Sequence, residues 1–338
     1  MQLSKKTISF TNFPSMAHQF NILYLPIILV LFSCVENKIF IQLYPDGQTY
    51  FKFESLGDSS DIFDKDFLHP HNFLGWKKSL SVIKEEDQKN WILTSEGLSS
   101  DTAILFYGEK LIPLGYSFYR NTRKSYFSIE YSFTLIFYGR HIETEYPKLY
   151  EAILSEKPDS LYWLSEALTV LMHKGLNDIA GDSLTPRKVI WNQRLVNHLQ
   201  NSFSRIKSIN DFENIQKNRT AFFTDLLKPF KMDQEFASNL VEAMEIHENI
   251  LESTLDLKDD SFEIKAILPG HTINTNADEI KEDTLIWKFG LDSLLRDTYV
   301  MDAKSIIYTT DRFRKTLISV GVLFLLLMVI IIKKYFRS

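Results

Sequence analysis

The chain has 338 residues, 45% of them apolar and 14% aromatic, with only 12 Gly and 10 Pro, a composition that excludes a disordered, collagen-like or low-complexity protein. Its single cysteine excludes a disulfide framework and any multi-cysteine metal cluster. The net charge of −5 divides unevenly: residues 1–34 and 316–338 hold five Lys or Arg and no acid, so residues 35–315 set 43 acids against 33 bases, which argues against a nucleic-acid partner.

Lys5 and Lys6 precede a polar stretch and then an uncharged run of eleven residues, Ile22–Phe32. That run is too short to span a bilayer, which takes about 20 helical residues, and has the length of a secretory h-region. Leu31-Phe32-Ser33-Cys34 follows and resembles a bacterial lipobox, with Cys34 as the lipidated residue; Phe32 departs from the usual small or aliphatic residue. An ordinary signal peptide cut nearby is the alternative, and Met16 is an alternative start. Residues 1–34 are therefore expected to be a signal peptide of the lipoprotein type.

From Lys38 the pattern alternates, with Ile39, Ile41 and Leu43 on one face. Tyr44-Pro45-Asp46-Gly47 predicts a turn, and Thr49, Phe51 and Phe53 resume the apolar face, so a hairpin is expected. Further strands are predicted at Trp91–Thr94, Ala103–Tyr107 and Leu114–Tyr119, and the clearest at Tyr126–Tyr138, where Phe127, Ile129, Tyr131, Phe133, Leu135 and Phe137 alternate with mainly polar residues. After Glu143 the period becomes helical. Stripes run through Leu161, Leu164, Leu168 and Leu171; Leu195, Leu199, Phe203 and Ile206; Phe212, Ile215, Phe222 and Leu226; and Phe236, Leu240, Met244 and Leu251. His173, His198 and His247 lie in these helices without metal-ligand spacing, and Glu245, Glu248 and Glu252 read as a solvated face.

The strand period returns with Phe262, Ile264, Ala266 and Leu268, turns at Pro269-Gly270, and continues through Thr284–Phe289 and Tyr299–Tyr308. Last comes Thr316–Ile332, seventeen uncharged residues that reach about 25 Å as a helix. Arg312, Arg314 and Lys315 precede it; Lys333, Lys334 and Arg337 follow, so the flanking charges do not set an orientation. An exported N-terminus would place residues 35–315 outside and 333–338, a basic tail, in the cytoplasm.

The expected class is α+β: an antiparallel sheet built from N- and C-terminal segments (35–144 and 259–311), an inserted helical block (145–258) and one C-terminal transmembrane helix (316–332). Pairing the two β segments makes them inseparable and is expected to bring the two ends of the ectodomain together at the membrane. The early hairpin on Pro45-Asp46-Gly47 after a lipobox, Leu268-Pro269-Gly270 with Asn276 and Trp287, and the closing helix resemble the LppM-like domain of bacterial lipoproteins over residues 34–56 and 261–332. That resemblance implies an envelope protein with both chain ends in one sheet, and it carries no catalytic residue.

For chemistry, the candidate is Asp58-Ser-Ser-Asp61-Ile-Phe-Asp64-Lys-Asp66-Phe-Leu-His69-Pro-His71. Asp61, Asp64, His69 and His71 combine hard carboxylates with imidazoles at a metal-ligand spacing. A solvated acidic loop is the simpler reading. No Gly-x-Ser-x-Gly, Gly-x-Gly-x-x-Gly or Walker-type loop occurs, and no cofactor is expected. The 26 Phe and 15 Tyr suit a β core, or else an apolar pocket for a lipid or glycan. A non-catalytic envelope binding or assembly module, partnered by the bilayer and by envelope proteins, lipid or glycan, is the leading functional reading. A metal-dependent hydrolase on the 58–71 cluster is second, and transmembrane signalling third.

Overall fold

The computed structural model describes residues 35–63, 66–70, 75–85, 88–100, 103–106, 113–155, 161–180, 186–206, 215 and 217–335. The N-terminal h-region and Cys34 lie outside the described residues, as does Arg337.

Among the described residues, twelve strands form two sheets. The larger takes β1 (Glu36–Leu43), β2 (Thr49–Gly57), β3 (Lys77–Glu85), β4 (Gln88–Ser99), β8 (Ser261–Ile267), β10 (Glu279–Lys281) and β11 (Thr284–Gly290), in the order β10-β11-β8-β1-β2-β4-β3. The smaller takes β5 (Ala103–Phe106), β6 (Tyr116–Lys124), β7 (Ser128–Phe137), β9 (His271–Thr275) and β12 (Tyr299–Tyr308), in the order β5-β6-β7-β12-β9. Each sheet joins N- and C-terminal segments, through β1 with β8 and through β7 with β12. The α+β class therefore stands, but the single sheet expected from the sequence resolves into two, and β1 pairs β8 in parallel.

The first hairpin closes as its sequence requires. Gly47 takes φ +97° and donates its N–H to Tyr44 O at 3.1 Å, while Asp46 Oδ1 accepts from Gln48 N at 2.9 Å. Strict alternation buries Ile39, Ile41, Leu43, Phe51 and Phe53 on one face. Those rings meet the inner face of the second sheet: Phe51 stands edge-on to Phe118 at 4.9 Å, and Phe137 packs on Phe262 and Phe289 at 5.8 and 5.1 Å. Each fully buried Phe contributes about 2 to 3 kcal/mol relative to exposure, so the aromatic excess fills a sandwich core.

The strand-to-strand crossings are pinned. Gly270, at φ +85°, carries the chain from β8 to β9 so close to β12 that a Cβ there would lie 2.3 Å from Ile306 O. Ser305 Oγ donates to Pro269 O at 2.8 Å. Asn276 Oδ1 accepts from Trp287 Nε1 at 3.0 Å and from Asp302 N at 2.8 Å, which ties β11 in one sheet to β12 in the other.

The helical block contains α1 (Pro147–Leu154), α2 (Leu164–Ala180), α3 (Pro186–Phe203), α4 (Arg219–Leu227) and α5 (Gln234–Asp256). Asp233 caps α5, its carboxylate accepting from Phe236 N at 2.9 Å. The predicted stripes bury Leu164, Leu168 and Leu171 on α2, Leu195, Leu199 and Phe203 on α3, and Leu240, Met244 and Leu251 on α5. Because the two sheets cover each other's apolar faces, the block joins the sandwich at one end. Arg140 N donates to Leu294 O at 2.7 Å, Glu143 pairs with Arg296 at 3.0 Å, and Arg296 lies over the Tyr150 ring.

That end is also where the described chain begins. Ser261 N donates to Val35 O at 2.9 Å and Ser261 pairs with Gly290, beside the Leu291–Leu294 turn that feeds β12. β12 then runs ten residues, from Tyr299 opposite Phe137 to Tyr308 opposite Ser128, a rise of about 30 Å. Val35 and Thr309 thus sit at opposite ends of the sandwich and do not meet as the sequence reading expected. The cause is the parallel β1–β8 pairing, which starts both strands at the helical end.

After β12 the chain passes directly into α6 (Thr310–Tyr335). Its Thr310–Lys333 span contains an 18-residue window with a mean hydropathy of 2.7 and no buried residue. Among the described residues it is the one helix long and apolar enough to cross a membrane.

Candidate functional site

Of the predicted metal cluster, Asp64 and His71 lie outside the described residues, and Asp61 sits in a single helical turn, Ser59–Ile62. His69 is the informative member. It is only 2% exposed and lies between the rings of Phe53 and Phe67, each 5.8 Å away. Its Nε2 is 2.7 Å from Ser55 Oγ and its Nδ1 3.3 Å from Ser95 Oγ.

The remaining bonds fix its tautomer. Ser55 Oγ donates its proton to Asn37 Oδ1, so it accepts from an Nε2–H of His69. Nδ1 is then an acceptor for the Ser95 hydroxyl, and Asn37 Nδ2 donates onward to Asp260 Oδ2 at 2.9 Å. A directional chain runs Ser95, His69, Ser55, Asn37, Asp260 through the interior, linking β4, β2 and β1 to the start of β8. All five are buried. Ser55 beside a neutral imidazole has the outline of an activated nucleophile, but its proton is committed to Asn37 and it is buried. The chain satisfies buried polar groups, and both ring nitrogens of His69 are engaged by hydroxyls, which leaves no open imidazole ligand there. Among the described residues no group of three or more His, Cys, Asp or Glu could hold a metal ion.

Burial pushes the His69 pKa down to about 3, with the positive charge of Lys78 adding to it. The sign of the linkage follows: between the ordinary histidine range near 6.5 and about 3, the unfolded chain binds a proton that the folded chain does not. Stability is full above that window and falls as pH drops through it, by up to about 1.4 kcal/mol per pH unit. His69→Gln, which keeps hydrogen-bonding capacity without titrating, should show a flatter loss of urea midpoint between pH 6 and 4 than the parent. Equal slopes would remove His69 from the account of acid sensitivity.

Two further buried charges were invisible as a site. Glu248, expected on a solvated face, is 3% exposed and accepts two bonds from Arg219, one of them from Nη1 at 2.5 Å, across α4 and α5. Only Glu245 of that series is fully exposed; Glu252 is half-buried, and burial with the charges of Asp256 and Glu248 pushes its pKa up to about 7. Arg140, buried near the charge of Asp66, is pulled down to about 10 by desolvation. The helical histidines are also engaged: His198 Nε2 lies 3.0 Å from Leu226 O and His247 Nε2 2.7 Å from Asp178. An open depression of about 490 Å3 lies at the start of α4, lined by Lys217, Arg219, Asp225 and Lys228 among others. Of its lining charges, Arg219 is already committed to Glu248.

Within the His69 chain and within the Arg219–Glu248 pair, the polar groups thus complete one another's hydrogen bonds. The basic residues Arg312, Arg314, Lys315 and Lys333 bracket the apolar length of α6, and Lys334 continues its last turn.

No protein family matches the chain, and no curated protein matches it. Among solved structures, the NMR structure of the folded domain of Mycobacterium tuberculosis LppM aligns over 82% of this chain and 93% of that one, at 7% identity and a TM-score of 0.27. This is a weak structural resemblance, and it carries no argument about function.

Proposed function

We propose that the chain is a membrane-held, non-catalytic binding or assembly module of a bacterial envelope, exported by its N-terminal segment and retained by α6. The observation that carries this reading is α6 itself, a 24-residue span with no buried part that continues from a core strand without a linker. The buried His69 chain and the Arg219–Glu248 pair support the non-catalytic half, since each consumes the groups a catalytic site would present. Residues 35–315 face outward and the end of α6 faces the cytoplasm. With α6 as the one anchor, the helical block, about 30 Å along β12 from it, is the part best placed to reach envelope proteins, lipid or glycan beyond the bilayer surface.

Cleavage of the leader leaves Cys34 or a neighbour as the mature start. A lipid on Cys34 would sit one residue before Val35, at the helical end of the sandwich. Both anchors then enter one bilayer only when β12 lies along its surface.

A reporter fused after Ser338 should give a cytoplasmic signal while residues 35–309 are digested by protease added outside. A reporter signal from the outer side would reverse the topology. Hydrolysis of ester or phosphate substrates by the purified full chain, dependent on added zinc and lost in His69→Ala, would overturn the non-catalytic reading.

A further inference from the structure

At the junction of β12 and α6 the molecule presents an aromatic and basic collar that belongs to neither the core nor the spanning segment. The β6–β7 hairpin ends there in a tight turn, with Ser125 N donating to Ser128 O at 2.8 Å and Ser128 N to Ser125 Oγ at 3.1 Å. The turn is bonded to the anchor: Thr309 N donates to Phe127 O at 2.8 Å and Thr309 Oγ1 to Tyr126 O at 3.2 Å. Phe127 stands edge-on to Tyr126 at 4.9 Å and to Phe313 of α6 at 5.9 Å. These rings are nonetheless in the open, with Tyr126 61%, Phe127 42% and Phe313 59% exposed.

A folded chain that buries Phe51, Phe53, Phe118, Phe133 and Phe137 almost completely leaves these three aromatics outside in one cluster, at the mouth of the spanning helix. Around them are Arg123 and Lys124 on the hairpin and Arg312, Arg314 and Lys315 on the first turns of α6, all exposed. The nearby acids are fewer: Asp311, and Glu130, which already pairs with Lys304 at 2.9 Å.

We infer that this collar is a docking surface for anionic phospholipid headgroups, with the hairpin tip set into the interface of the same bilayer that α6 crosses. The inference rests on the reading of α6 as a span. Three observations converge on this occupant. The collar is continuous with the apolar helix, so the lipid interface falls at its level. Aromatic side chains with one apolar body are stabilised at that depth. Clustered Lys and Arg beside a membrane-entering helix complement the phosphate charge of anionic lipid. Because Thr309 clamps the tip to the helix, the collar acts as one rigid rim rather than as an independent loop.

The test uses the full chain in nanodiscs of phosphatidylcholine and phosphatidylglycerol, in a Cys34→Ser background, with a nitroxide on Phe127→Cys or on Leu325→Cys. At 127 the label should be several-fold more accessible to oxygen than to a water-soluble nickel chelate. That ratio should fall toward one in pure phosphatidylcholine and in Arg123→Glu/Lys124→Glu. A label at 127 that prefers the nickel chelate, while the label at 325 reports the hydrocarbon core, would overturn the collar and leave the span intact. A label at 325 in water would overturn both. An unchanged ratio at 127 after charge reversal and in neutral lipid would overturn the headgroup specificity.

Discussion

Gly270→Ala is expected to destabilise the protein by about 3 kcal/mol. Two costs add. The residue sits at φ +85°, where an L side chain loses roughly 1 to 2 kcal/mol. The new Cβ would also lie 2.3 Å from Ile306 O and 2.6 Å from Ile307 Cγ1, and because the nearest of these atoms is backbone held in the β7–β12 ladder, relief requires moving a core strand, typically about 1 to 3 kcal/mol. Gly75 is the control. It has φ +91° with nothing within 4 Å of its Cβ position, so Gly75→Ala should show only the conformational cost of about 1 to 2 kcal/mol. Urea unfolding of the full chain in micelles, read by tryptophan emission, measures both. Equal losses would mean that the close approach of the β8–β9 turn to β12 does not constrain the fold.

The second large effect is expected from Arg219→Leu. Glu248 would be left buried with no counterion, which costs about 3 to 5 kcal/mol in comparable settings. The double variant Arg219→Leu/Glu248→Leu should recover most of that loss, because an apolar pair of similar size avoids the desolvation that the ions incur. A double variant as unstable as the single one would show that Arg219 stabilises through its packing against α4 and α5 rather than through the charge.

The elements with strong local periodicity were legible in the sequence. The hairpin at Pro45-Asp46-Gly47, the strand through Phe133 and Phe137, the α2, α3 and α5 stripes and the C-terminal apolar helix all occur where the pattern places them. β3 was missed because it is a sheet edge with both faces partly wet, so Lys77–Glu85 shows no clean alternation of burial. The division into two sheets was not legible at all. It depends on which strand edges pair across the chain, as β1 with β8 more than 200 residues later, and local periodicity contains no such information.

The buried polar chain did leave a signal. Asn37, Ser55 and Ser95 each occupy the apolar phase of a strand, so polar residues on three neighbouring strands interrupt what is otherwise a continuous hydrophobic face. Reading those interruptions together would have pointed to a partner such as His69. Glu248 left none. α5 packs against α2 and against α4, so it has two covered faces, and a single-stripe reading assigns the second one to water.

On the proposed reading of α6 as the membrane anchor, the direct run of β12 into α6 fixes how residues 35–309 bear mechanical load. Any tension between the membrane and a partner held by the helical block enters along the axis of β12, a strand flanked on both sides, by β7 over ten register pairs and by β9. Force parallel to the strands stretches that ladder in shear, where its hydrogen bonds share the load, whereas force applied across a sheet edge would open them one at a time. The anchor is therefore attached to an interior strand of the smaller sheet, and only Thr309 separates that strand from the helix.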